Sequence, residues 1–338
     1  MCYFCGSKSD TSRPQADWKA KISEELFYMF KTFLHFQNKS IQLIILLSIW
    51  SALFLIGIYT QTLFIQKSAG LSSTELNDFL TNGLYENPQL IFVSNALFQL
   101  LAFLLPGLLF AYLAAPQPLK YLGLKRWKSP AQFSWIIIAG VGLVFFIGVL
   151  GTWIQQIDFG ATVSAIDEQR KKVIEIYMQS GNVGSLFRNL FLIALLPAIC
   201  EEVFFRGVLQ KFAYSFTGKW WLSIIMASVI FTLFHASISE FLPILLAGIV
   251  LGTVYYLTGN LWLSILLHFV HNGLQITMAY LSDSSQTVET EGFTTLLAYF
   301  VGAAMVLAYS LWQLYRNRTP LPDNWSVEHK AEPLERED

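Results

Sequence analysis

Three short stretches of this 338-residue chain place proton-exchanging or hydrogen-bonding side chains inside otherwise apolar runs. One carries Cys200, Glu201, Glu202 and Arg206; a second ends on His235; a third carries His268, His271 and Asn272. Carboxylates and imidazoles move protons near neutral pH, and amide or imidazole donors stabilise charge that develops on an oxygen. Together they suit activation of water for attack on a carbonyl. A charged group at bilayer depth costs at least a few kcal/mol, so each is a functional candidate by its position alone. Residues four apart on a helix share a face, which pairs Glu202 with Arg206 and aligns His268 with Asn272. Glu201 is turned about 100° from Glu202. One carboxylate can then face a cavity while the other is tied structurally. His271 points to a different face from His268 and reads as a residue that backs the site or packs, and Cys200 reads as a small buried hydrophobe.

The elements that must position these groups are membrane helices. Apolar residues make up 54% of the chain and charged residues 13%, with a mean hydropathy of +0.49. A soluble domain carries about 25% charged residues. Runs long enough to cross roughly 30 Å of hydrocarbon fall at Ile41–Ile65, Leu90–Ala115, Trp135–Gln155, Phe187–Phe212, Trp221–Ser237, Leu242–Leu257, Leu261–Leu281 and Phe293–Tyr315. The fold class is therefore all-α, a polytopic bundle of about eight transmembrane helices. The first 40 residues hold six Lys or Arg, and Lys120, Lys125, Arg126, Lys128, Lys211, Lys219, Arg316 and Arg318 flank the same side. The other side has Lys67 and the triplet Arg170-Lys171-Lys172. Positive charge resists translocation, so both termini are predicted to be cytoplasmic, in a cell (inner) membrane.

The chain divides into a cytoplasmic segment (1–40), three spans with a surface amphipathic helix between Ser164 and Ser180 (41–185), a core (186–281), a last span (282–316) and a disordered tail (317–338). A net charge of −1 gives no reason to expect nucleic acid as a partner. The lipid bilayer is the expected surroundings.

The three stretches resemble the motifs of the CAAX prenyl protease and bacteriocin-processing (Abi) family of intramembrane proteases. That family carries Glu-Glu-x-x-x-Arg, Phe-x-x-x-His and His-x-x-x-Asn in this order. Here they are Glu201-Glu202-x-x-x-Arg206, Phe231-x-x-x-His235 and His268-x-x-x-Asn272, with Gly248-x-x-x-Gly252 and a Thr258-Gly259-Asn260 turn between the last two. The resemblance covers about Leu186 to Ala279. It implies a peptide hydrolase without a cofactor, acting on a membrane protein or a lipidated or hydrophobic peptide. Glu201 would be the general base, with His235 helping to hold the water. His268 and Asn272 would stabilise the oxyanion, and Glu202 and Arg206 would brace the site.

Other readings stay open at this point. Glutamate with two histidines also suits a zinc protease, though no His-Glu-x-x-His helix is present. A non-proteolytic scaffold or chaperone would use the same polar cavity to bind a membrane partner. A proton-coupled transporter would need paired broken helices or inverted repeats, and none is visible. Cys2 and Cys5 have the spacing of half a zinc knuckle and are weak metal candidates, with no second pair nearby.

Overall fold

The computed structural model describes residues 33–79, 88–126, 129–168, 182–281 and 292–319. These residues are helical and contain no strand. The long helices are α1 (Lys39–Ser68), α2 (Leu90–Ala114), α3 (Pro130–Ile154), α4 (Val183–Thr217), α5 (Trp220–Phe234), α6 (Phe241–Thr258), α7 (Leu261–Leu281) and α8 (Phe293–Arg316). Six of them, α1 to α4 with α6 and α8, are long and apolar enough to cross a membrane. The protein is a multi-pass integral membrane protein.

The eight runs expected from sequence correspond to these eight helices, but two of them fall short of that standard for different reasons. Helix α5 has only 15 residues. It stops at His235 because Ala236 adopts a left-handed φ of 47° that no helix tolerates. Helix α7 is long enough at 21 residues, and the side chains of His268, His271, Asn272 and Gln275 dilute its apolar character. The expected cytoplasmic placement of the termini, the Cys2/Cys5 pair, most of the Ser164–Ser180 amphipathic helix and most of the tail lie outside the described residues.

Local sequence explains the breaks. Gly218 and Gly259 close α4 and α6 with φ of 66° and 55°, the left-handed cap that a side chain resists. Asn260 then accepts the Trp262 N–H at 3.0 Å, opening α7. Within α2 and α4, π-helical turns at Leu100–Leu104 and Leu190–Leu195 come just before Pro106 and Pro197. Proline has no N–H and its ring collides with the preceding turn. The wider turn absorbs this, and Leu105 and Leu196 bond back five residues to the carbonyls of Leu100 and Phe191. A third π segment, Val203–Gln210, begins directly after Glu202.

The apolar interior forms two clusters. One joins α1, α2 and α4 through residues such as Leu46, Phe103, Phe110 and Phe205, and the other joins α3, α6, α7 and α8 through Leu143, Val254, Leu267 and Leu307. Residues of α1 such as Ile44, Leu47, Leu55 and Ile56 are exposed apolar groups, as a lipid-facing helix requires. Close approach between α3 and α7 depends on Gly140, where a β-carbon would lie 2.4 Å from Val270 Cγ1. Gly140→Val is expected to cost roughly 1–3 kcal/mol by overpacking. Gly302→Ala in α8, where nothing lies within 4 Å, should be neutral or stabilise by up to about 1 kcal/mol. Thermal unfolding of both variants in detergent checks the contrast.

Candidate active site

Glu202 is the most buried group of the site, with a side-chain exposure of 0%. Its Oε1 accepts from Arg206 Nη1 at 2.8 Å and from His268 Nδ1 at 2.9 Å, and its Oε2 accepts the Ser264 hydroxyl at 2.6 Å. Arg206 also donates through Nη2 to the Gly248 carbonyl at 3.2 Å, and its guanidinium lies 4.6 Å over the Phe231 ring. One helical turn further on, Gln210 donates to the Gly252 carbonyl at 3.0 Å. Glycines at 248 and 252 make these reaches possible. A β-carbon at Gly252 would sit 2.8 Å from Gln210 Oε1, and one at Gly248 would sit 3.1 Å from Ser228. The Gly248-x-x-x-Gly252 run is thus the face on which α6 exposes carbonyls to α4.

This network orients His268. A carboxylate beside a guanidinium only accepts, so His268 Nδ1 carries the proton. Its Nε2 then lies 3.9 Å from Glu201 Oε2. That separation is one a single water can bridge. Because Nδ1 is committed to Glu202, Nε2 donates a hydrogen bond only when the ring is an imidazolium. Glu201 itself accepts from Gln99 Nε2 at 3.0 Å through its other oxygen. His235 caps α5 with Nδ1 at 2.9 Å from the Phe231 carbonyl. A carbonyl also only accepts, so in the neutral ring Nε2 keeps its lone pair. Phe231 therefore serves twice, its ring on Arg206 and its carbonyl on His235.

A cavity of about 550 Å³ brings together Glu201, His235, His268 and Asn272, from α4, the end of α5 and α7. Asn272 is half-buried, one turn beyond His268. Glu202 and Arg206 lie behind the cavity wall. A second cavity of about 580 Å³ shares Gln99, Ile193, Pro197, Glu201 and His235 with the first and is otherwise largely aromatic, with Phe54, Phe98, Phe103 and Phe234. The first lies where the two apolar clusters meet, between Phe231 of one and Ile147 and Leu251 of the other, and the second lies against the first cluster.

Several contributors escape a reading of the motifs alone. Gln99 comes from α2, whereas the three motif stretches lie on α4, α5 and α7. An uncharged amide in the middle of an apolar run was the signal. Ser264 lies one turn before His268, so Ser264, His268 and Asn272 form one stripe at i, i+4, i+8. His271 does not merely pack. It lines the same cavity, where Gln275 Nε2 lies 3.0 Å from its Nε2 and its buried Nδ1 has no partner. Cys200 is buried with a free thiol. Among the described residues, no group of three or more His, Cys, Asp or Glu is arranged to hold a metal ion.

The fold and site define a class: a polytopic helical membrane protein with carboxylates and histidines sunk among its helices. Residues 183–274, which contain all three motifs, match the family model of the Rce1-like type II CAAX prenyl endopeptidases. This segment is similar to that family, whose members are CAAX-type membrane proteases. No curated protein and no solved structure matches the chain.

The Glu202 network carries a stability prediction. Removing one member of a buried ion pair leaves an uncompensated charge, at a cost of about 3–5 kcal/mol. Arg206→Ala and Glu202→Gln are both expected to lower the melting temperature in detergent as well as activity. Unchanged melting in both would show that the pair does not hold α4, α6 and α7 together.

Proposed function

We propose that this protein is an intramembrane endopeptidase in which Glu201 activates water without a metal ion. The observation that carries the reading is the 3.9 Å gap between Glu201 Oε2 and His268 Nε2 at the wall of the cavity, with His268 held from behind by Glu202. Water in that gap donates to the Glu201 carboxylate and sits within reach of a substrate carbonyl in the cavity. As the water oxygen bonds to the carbonyl carbon, its proton passes to Glu201. Negative charge appears on the former carbonyl oxygen. The Asn272 amide is a donor for it, and so is His268 Nε2 whenever that ring carries its second proton. Glu201 then gives the proton to the departing amine as the C–N bond breaks. Gln99 holds the carboxylate in place through its amide hydrogen, and His235 holds the water from the other side.

Glu201→Gln keeps the size and hydrogen bonding of the side chain and removes its ability to take a proton. Cleavage of membrane substrates should fall by about 10²–10⁴, with melting unchanged. Asn272→Ala should lose about 10²–10³. Comparative proteomics of membranes with wild-type and Glu201→Gln protein is the measurement, the substrate being the polypeptide that accumulates uncut. Full cleavage in Glu201→Gln would overturn Glu201 as the base, and membranes in which no polypeptide differs between wild type and variant would favour the scaffold reading. Loss of wild-type activity on chelation, restored by zinc, would overturn the metal-free mechanism.

A further inference from the structure

The two ends of the bundle differ. At one end the connections are tied to each other. Asn260 Nδ2 donates to the Lys125 carbonyl at 2.9 Å, Leu261 N–H to the Gly123 carbonyl at 2.9 Å, and Gln132 Nε2 to the Asn317 carbonyl at 2.7 Å. Lys211 donates to the Tyr121 carbonyl, Lys39 to that of Ser215 and Thr319 to that of Thr258. Beneath these ties the interior is solid. From Val203 to Gln210 every residue but Leu209 is buried, and Tyr255 donates to the carbonyl of the fully buried Leu122 at 2.9 Å. Among the described residues this buried layer stands between the site and the tied end.

At the other end the site cavity reaches solvent-exposed polar groups. Helix α3 starts at the tied end, through Gln132, and finishes at Thr152 and Gln155. These two residues, with Glu240 before α6 and Gln275 late in α7, line the cavity and are exposed. The mouth is therefore opposite the tied end.

Lys and Arg separate the same way. Lys39, Lys120, Lys125, Arg126, Lys219 and Arg316 lie at the tied end, where the described residues include no Asp or Glu. At the mouth end the described cations are Lys67 and Arg188. The Arg188 guanidinium is engaged 4.3 Å over the Phe92 ring, and the Arg170-Lys171-Lys172 triplet of that side lies outside the described residues. Positive charge flanking membrane helices is retained on the cytoplasmic side.

We infer that the catalytic cavity opens on the extracytoplasmic face, so that the substrates are membrane-anchored or exported polypeptides whose scissile segment is presented outside the cytoplasm. This rests on the protease reading for the word substrate, and on the geometry of the bundle for the side. Water reaches Glu201 from the same side, and the cleaved segment leaves there. A tail presented from the cytoplasm meets the tied end, where the buried layer from Val203 to Gln210 separates it from the carboxylate.

Single cysteines test the side independently of activity. In a background with Cys2→Ser and Cys5→Ser, and with Cys200 buried, Gln155→Cys and Glu240→Cys report the mouth and Lys219→Cys reports the tied end. Right-side-out membrane vesicles are treated with a membrane-impermeant maleimide before and after detergent permeabilisation, and the full-length protein is scored for label. Positions 155 and 240 are expected to label in sealed vesicles, and position 219 only after permeabilisation. The reverse pattern, or label at all three positions from one side, would overturn the inference. Absence of label at 155 and 240 even after permeabilisation would overturn the open mouth. None of these outcomes bears on whether Glu201 is the base, and an active Glu201→Gln variant would leave the labelling pattern unmoved.

Discussion

An ionised carboxylate with no solvent contact, inside a protein whose outer medium is hydrocarbon, has to be neutralised and hydrogen-bonded from within. Glu202 meets that demand with one guanidinium, one imidazole and one hydroxyl, drawn from two helices, and Arg206 hands the constraint on to a third through the Gly248 carbonyl. The relative positions of α4, α6 and α7 follow from it. Helix α6 must approach closely enough for a guanidinium to touch backbone, which is why glycine occupies 248 and 252. The ring of His268 must present Nδ1 to Glu202, which is why Nε2 faces Glu201. The geometry of the proposed site is thus a consequence of satisfying a neighbouring charge that lies outside the cavity lining.

The same demand recurs at lower stakes across the bundle. Backbone and hydroxyl groups that water would satisfy in a soluble protein must find partners inside. Thr232, Thr253, Thr258 and Thr277 each return a hydroxyl to the carbonyl four residues back. The prolines of α2 and α4 would leave carbonyls unpaired in a regular helix, and a π turn re-pairs the chain around each. Those two turns adjoin Gln99 and Ile193, both on the cavity walls. The polar cavity survives where the two apolar clusters meet. The groups that interrupt that packing are the polar ones needed for chemistry.

Much of this was legible in the residues. Long apolar runs announced the helices, and i,i+4 spacing announced the Glu202–Arg206 contact and the alignment of His268 with Asn272. The 100° turn between adjacent residues announced that Glu201 and Glu202 face different ways. Motif spacing says nothing about which helix from the first half of the chain comes to lie against the site, so Gln99 was invisible as a partner of Glu201. The end of α5 was misjudged because apolar character continues through Ile238 while the backbone turns at Ala236. His271 was placed on a backing or packing face, away from the cavity, by its offset from His268. A cavity spanning several helices is wide enough to collect more than one face of α7, and a helical wheel does not contain that width.

Glu201 is the boundary between two kinds of surroundings. On one side it meets a cavity with Asn272, Gln275, Glu240 and Thr152, and on the other a cavity walled by Phe54, Phe98, Phe103 and Phe234. Hydrolysis inside a membrane needs water at the carboxylate and needs that water to be scarce elsewhere, since a flooded interior would weaken every contact that orients the site. A carboxylate set at the inner limit of the polar cavity, with its non-facing oxygen fixed by Gln99 and aromatic rings beyond, meets both conditions. Solid packing from Val203 to Gln210 closes the remaining direction. The polar cavity gives water a route in, and the residues that end that route are the ones that would use it.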